Sequence, residues 1–276
     1  MAGPMDAIRP KKSFGQNFLI DANVLSRIVS SVDRDENRHI LEIGPGKGAL
    51  TSLLAGRAES LIAVELDRQL AGLLEEHFRS ETGVRIVQAD VLNLDLGALL
   101  LPIHPGKWKV AANLPYNISS QVMFQFLDSH ELFSSLVLMV QKEVGDRLVA
   151  PPDCKDYGIL SVLFRLHFEI SREFIVRPGA FFPAPKVDSA VLRFVPLEQP
   201  RYDVGDEAFF RRLVKGAFSM RRKTLWNCMK SACLAANDEA LARALEVSGI
   251  YAGRRGETLS LEEFSSLSRV LQGINH

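Results

Sequence analysis

Apolar runs recur through the first half of the chain: HILEIG at 39–44, SLIAVEL at 60–66, RIVQAD at 85–90, KVAANL at 109–114 and SLVLMVQK at 135–142. They are nearly continuous rather than alternating, as strands of a sheet covered on both faces are. Amphipathic stretches intervene, among them GALTSLLAGRA at 48–58 and DRQLAGLLEEHF at 67–78. The repeated strand–helix alternation predicts a doubly wound, parallel α/β sheet. Further on, EISREFIVRP (169–178) and SAVLRFVPL (189–197) read as an antiparallel edge pair joined by the proline-rich loop PGAFFPAPKV. After Pro200 strand signals vanish and helical periodicity takes over, in DEAFFRRLVKGAF, KTLWNCMKSACLA, DEALARALEV and LEEFSSLSRVL. Ser260 and Glu263 have the spacing of a capping box for the last of these helices. The change of texture predicts one domain over residues 1–200 and a small all-helical one over 201–276.

Composition narrows the class. The 276 residues are 47% apolar, enough for a sizeable core and too much for a disordered chain. No apolar run approaches the roughly 18 to 20 residues of a membrane span. MAGPMDAIRPKK lacks the apolar centre of a signal peptide. Cys154, Cys228 and Cys233 are too few and too scattered for a disulfide framework or a zinc site, so no metal and a reducing cytoplasm are expected. Net charge is zero, but its distribution is uneven. No acidic residue falls between Ala208 and Asn237, where Arg211, Arg212, Lys215, Arg221, Arg222, Lys223 and Lys230 do. Arg9, Lys11 and Lys12 form a second basic cluster. Such local basic surface on a neutral protein has the form of a nucleic-acid footprint, and equally that of a solvated helix face.

Candidate chemistry lies at the ends of the predicted strands. Gly44, Gly46 and Gly48 follow the first with GxGxG spacing, where a dinucleotide fingerprint would put its third glycine one residue later, at Ala49. Glu65 ends the second strand, where a carboxylate can chelate a ribose diol. Asp90 ends the third, a place to accept from an adenine amine. Together they suit an adenosine ligand without a pyrophosphate, of which S-adenosylmethionine is the common example. NLPY, residues 113–116, follows the fourth strand at the same sheet edge. An adenine N6 amine is a poor nucleophile because its lone pair is delocalised into the ring. The Asn113 side-chain oxygen and the Leu114 carbonyl can accept both N6 hydrogens and favour a pyramidal nitrogen. Pro115 holds Leu114 extended, and Tyr116 offers a face on which the base can stack. This is alignment and electrostatics rather than general-base catalysis.

With these residues in place the chain resembles the ribosomal RNA adenine N6-dimethyltransferase family, in particular its small-subunit type. KKSFGQNFLID, VELD, QADVL, NLPYNISS, FFPAPKVDSAV and GETLSLEEF match that family's blocks in order, over almost the whole chain. The resemblance implies a Rossmann-like S-adenosylmethionine-dependent methyltransferase sheet with a C-terminal helical, rRNA-binding domain. It implies that the QNFL segment closes over the cofactor, making Asn17 and Leu19 contacts beside Gly44, Gly46, Glu65, Asp90 and Asn113. It pairs Phe181 with the NLPY tyrosine, although adjacent Phe182 leaves open which ring takes that part. The implied substrate is a pair of neighbouring adenosines in the 3′-terminal hairpin loop of small-subunit rRNA, within a 30S subunit or its precursor, each receiving two methyl groups; nothing in the sequence suggests an obligate dimer, and a monomer is expected. A single-stranded loop suits this, since its bases can be splayed out and stacked. The related large-subunit rRNA dimethyltransferases share the glycines and a similar asparagine–proline–tyrosine block, while KKSFGQNFLID, PAPKVDS and GETLSLEEF favour the small-subunit type. A non-catalytic assembly factor is opposed by the intact cofactor set, and a nicotinamide dehydrogenase by the glycine spacing.

Overall fold

The computed structural model describes residues 10–11 and 15–275. Internal packing divides it into two units: the chain up to Gly145 with Ile170–Pro196, and Asp146–Glu169 with the chain from Leu197 onward.

The first unit is built on a seven-stranded sheet. Its strands are β2 (His39–Ile43), β3 (Ser60–Glu65), β4 (Val84–Gln88), β5 (Trp108–Asn113), β6 (Phe133–Gln141), β7 (Phe168–Val176) and β9 (Ser189–Pro196). They lie in the order β4-β3-β2-β5-β6-β9-β7. A separate ribbon pairs β1 (Phe18–Leu19) with β8 (Phe181–Phe182) in antiparallel fashion. β4, β3, β2, β5 and β6 run parallel, with Ile43 opposite both Val64 and Ala112, and Asn113 opposite Met139. That register brings the carboxyl ends of β2, β3, β4 and β5 to one edge, where open α/β sheets hold ligands. The helices α1 (Ala22–Val32), α2 (Ala49–Ala55), α3 (Arg68–His77), α4 (Leu96–Leu100) and α5 (Ser119–Asp128) belong to this unit. Asp21 opens α1 by accepting from the Asn23 and Val24 N–H groups.

The continuous apolar strands are buried on both faces: Leu41, Val110, Ala111, Val137 and Leu138 are all in the core. β4 departs from that expectation and is half-exposed, because it is the terminal strand of the sheet. The two strands of the predicted edge pair are hydrogen-bonded neighbours at one end of the sheet. β9 lies inside the sheet, antiparallel to β6, and only β7 forms the edge. The loop between them contains β8, whose two residues are too few to leave a periodic signal.

The second unit is helical: α7 (Ile159–His167), α8 (Glu207–Ala217), α9 (Leu225–Ser231), α10 (Asp238–Val247) and α11 (Leu261–Asn275). The division between the units falls within α6 (Lys142–Val149). The Ser260–Glu263 capping box forms, with Ser260 N–H donating to Glu263 and Glu263 N–H donating to Ser260 Oγ. The composition change near residue 200 did not anticipate that residues 146–169 pack with these helices. The reason is α7. Its Val162, Leu163, Phe164 and Leu166 are all buried, and it packs on α8 and α11.

Candidate active site

A cavity of about 230 Å³ opens at the carboxyl ends of β2, β3 and β5. Its lining includes Asn17, Leu19, Gly44, Gly46, Glu65, Asp90, Asn113, Leu114 and Pro115, so residues far apart in sequence meet in one place. Gly44 and Gly46 both take positive φ, +69° and +58°. A Cβ on Gly46 would stand 3.0 Å from the Phe18 ring, so the turn needs glycine for backbone angle and for space.

Glu65 is nearly buried. Its Oε2 accepts from Gly46 N–H at 3.0 Å and its Oε1 from Asp67 N–H at 2.9 Å. Burial raises its pKa, and those backbone donors oppose the rise. Each oxygen keeps lone-pair capacity for a further donor. Asp90 accepts from Leu92 N–H and from the Asn93 side chain, both at 3.0 Å, while still facing the cavity.

Asn113 is the most informative residue. Its Nδ2 donates to the Asn17 carbonyl at 3.2 Å. Because a carbonyl can only accept, this bond fixes which way the amide points, and Oδ1 is left as a free acceptor. Leu114 N–H donates to Met139 O at 3.1 Å, and the Leu114 carbonyl takes no hydrogen bond among the described residues. The segment supplying Asn17 is tied down twice more: Lys11 Nζ lies 2.7 Å from an Asp67 carboxylate oxygen, and the β1–β8 ribbon pairs Leu19 with Phe181.

Tyr116 is half-buried beside the cavity rather than in its lining. Its carbonyl accepts from Ser119 Oγ at 3.2 Å, and its hydroxyl pairs with Ser189 Oγ at 2.6 Å. Phe181 is not in that lining either. That ring is buried in the core with Leu19, Leu25 and Val176, because its strand position faces inward with Leu19. The exposed ring of the pair is Phe182, at 59%.

The basic residues divide. Arg9 and Lys12 lie outside the described residues. Lys11 is committed to Asp67. Arg221 donates to the Lys155 carbonyl, Arg212 lies 5.4 Å from the Phe209 ring, Arg211 is half-buried, and Lys230 pairs with Asp238. Lys215, Arg222 and Lys223 are exposed on the helical unit.

Sequence reasoning missed Glu42. It is buried among apolar strand residues and lines the cavity, with one carboxyl oxygen lacking a hydrogen-bond partner. Burial pushes its pKa up to about 8, and the Glu65 carboxylate adds to the rise. The available signal was a lone acid inside HILEIG. Among the described residues no group of His, Cys, Asp and Glu could hold a metal, and no helix is long and apolar enough to cross a membrane.

Comparison with known proteins adds a separate line of information. Residues 7–272 match the profile of a family described as Ribosomal RNA adenine dimethylase. The chain is similar to Ribosomal RNA small subunit methyltransferase A of Geobacter metallireducens, 61% identical over 269 residues, covering 98% of each chain. It is 41% identical to the protein of that name from Clostridium acetobutylicum, over 94% of this chain and 93% of the other. Among solved structures, a dimethyladenosine transferase from Plasmodium falciparum superposes with a TM-score of 0.76 at 23% identity, over 93% of this chain and 98% of the other. The 23S rRNA methyltransferase ErmE superposes with a TM-score of 0.68 at 24% identity, over 93% of this chain and all of the other. At those identities the structural likeness speaks to fold alone.

Proposed function

The chain belongs to the ribosomal RNA adenine dimethylase family, and from this premise we propose how its site works and on what. It is an S-adenosylmethionine-dependent rRNA adenine dimethyltransferase acting on small-subunit rRNA. The finer reading is that it dimethylates N6 of two adjacent adenosines in the 3′-terminal hairpin loop of 16S rRNA. It does so as a monomer in the cytoplasm, on a 30S subunit or its precursor.

The cavity suits the methyl donor. Glycines clear the turn, Glu65 and Asp90 present acceptors for ribose hydroxyls and an adenine amine, and Glu42 supplies a buried carboxyl with an unused oxygen. Asn17 and Leu19 close one side. Bound there, the donor supplies a methyl group made electrophilic by its positive sulfur.

The observation that carries the reading is the orientation of Asn113. With Nδ2 held by the Asn17 carbonyl, Oδ1 and the Leu114 carbonyl are free acceptors on two adjacent residues of the cavity lining. They take the N6 hydrogens of the target adenine and turn its lone pair toward the methyl. Tyr116 carries the base on its ring face. Each transfer forms the N6–C bond, breaks the donor's S–C bond and releases one N6 proton to water. No side chain need act as base, because the work is alignment and stabilisation of developing charge. Lys215, Arg222 and Lys223 of the helical unit supply phosphate contacts.

The test is transfer of labelled methyl to 30S particles, to naked 16S rRNA and to large-subunit rRNA. Label is expected on N6 of the two loop adenosines, and Asn113→Ala should lower turnover by about a hundredfold or more, the range for removing one such electrostatic group. Particle affinity should hardly change, because RNA binding is spread over many phosphates. Tight particle binding without transfer would make the protein an assembly factor, and label confined to large-subunit rRNA would give it the other substrate.

A further inference from the structure

Ser189 stands far from NLPY in sequence, yet its hydroxyl is 2.6 Å from that of Tyr116. It is wholly buried and begins β9, where it pairs with Gln141 at the carboxyl end of β6. The backbone on both sides is committed: the Asp188 carbonyl accepts from Lys142 N–H at 2.9 Å, and β9 continues through Phe194 opposite Leu136. Ser189 is therefore a fixed point of the sheet. Tyr116 sits in the turn between β5 and α5, whose own restraint is local, with Ile118 N–H donating to the Pro115 carbonyl and Ser119 Oγ to the Tyr116 carbonyl. Those bonds fix the backbone of Tyr116 and leave its ring free to tilt. The bond at the far end of the ring removes that freedom. Burial raises the Tyr116 pKa, so the phenol stays neutral, and either hydroxyl can donate in this bond.

We infer that Ser189 is a positioning residue for methyl transfer. It holds the Tyr116 ring at the tilt that presents a stacked adenine to the donor, and it acts only through the tyrosine hydroxyl. The inference rests on the reading that Tyr116 carries the target base. A ring that can rock still offers a stacking surface, so loss of the anchor should impair alignment more than binding. Misorientation at the reacting centre is costly in rate because near-attack geometry is narrow.

The experiment is a double-mutant cycle in the full-length chain, with Ser189→Ala, Tyr116→Phe and both together, read as kcat and KM on 30S particles. Each single variant should lower kcat about three- to tenfold, the effect of one neutral hydrogen bond, with KM nearly unchanged. The double variant should be no worse than either single one, which a general loss of packing would not produce. Ser189→Thr, which keeps the hydroxyl, should recover most of the rate. If Ser189→Ala fails to fold, Ser189→Cys carries the same comparison. RNA bearing 2-aminopurine at the target position should be quenched less by Ser189→Ala than by the wild-type chain. Wild-type kcat in Ser189→Ala, or single losses that multiply in the double variant, would overturn the inference. Tyr116→Ala separates the two levels. If it abolishes transfer while Ser189→Ala is silent, only the anchor is wrong. If it leaves transfer intact, the base-carrying reading fails as well.

Discussion

Lys109 and Glu42 are buried ionisable residues on neighbouring strands of one sheet, toward its opposite ends, and they are treated differently. Lys109, in β5, is 1% exposed, and its Nζ lies 2.7 Å from the Asp35 carboxylate and 2.9 Å from the Asp35 carbonyl. Around it the amino end of the sheet is closed by stacked His39 and His104 rings, 3.5 Å apart, beside Trp108. Glu42, in β2, lines the cavity at the carboxyl end; the Thr51 hydroxyl opposes the rise in its pKa, and its Oε2 has no hydrogen-bond partner among the described residues. A buried charge that is paired belongs to the structure. A buried carboxyl left incomplete destabilises the empty protein and is kept where a ligand completes it. The same contrast holds for Glu65, whose oxygens are positioned by backbone N–H groups yet still face open space.

The sharpest way to break this comparison is Lys109→Ala. It deletes a buried aliphatic stem and leaves Asp35 without its cation, so unfolding free energy should fall by about 3 kcal/mol. Affinity for S-adenosylmethionine in the folded fraction should hold, and a large loss by calorimetry would show that the amino end is not purely structural. Glu65→Ala should act mainly on affinity. Losing charge-assisted bonds of about 1.5 to 3 kcal/mol should weaken the donor roughly ten- to over a hundredfold. Some stability should go too, because the Gly46 and Asp67 N–H groups lose their acceptor, but wild-type affinity in the folded variant would remove Glu65 from the ribose site.

Glu42→Gln sharpens the comparison through pH. In the unfolded chain Glu42 loses its proton near the ordinary value of 4.5, whereas the folded protein holds it to about 8. Between those values the native state binds more protons, so this group's contribution makes stability fall as pH rises. Removing the charge should leave stability unchanged near pH 4.5 and increase it by about 2 kcal/mol at pH 7, a discounted figure from 1.4 kcal/mol per pH unit. Denaturant titrations of the ligand-free protein at both pH values would show it. Equal stability of the two proteins at pH 7 would mean that Glu42 is not an unsatisfied buried acid. The smallest expected effect lies outside the sheet. Replacing Arg222 and Lys223 with Ala should flatten the salt dependence of RNA affinity, by about 0.7 to 0.9 in log–log slope for each phosphate no longer neutralised. An unchanged slope would make that stretch a solvated helix face.

Much of the site was legible because its parts are local. The apolar runs specify buried strands, the glycines specify a turn without side chains, and Glu65, Asp90 and NLPY stand where those strands end. The Ser260–Glu263 cap needs only residues three apart, and it forms. All of this follows from steric and hydrogen-bonding demands met within a few residues, which the order of amino acids by itself determines. Only the tertiary structure decided which of Phe181 and Phe182 is buried, since that depends on a two-residue ribbon with Phe18 and Leu19. It alone gave Lys11 to Asp67, joined residues 146–169 to the helices, left Glu42 short of a partner and brought Ser189 to Tyr116. Burial and pairing of this kind are set by segments distant in the chain, and no local pattern of residues records which distant segment arrives.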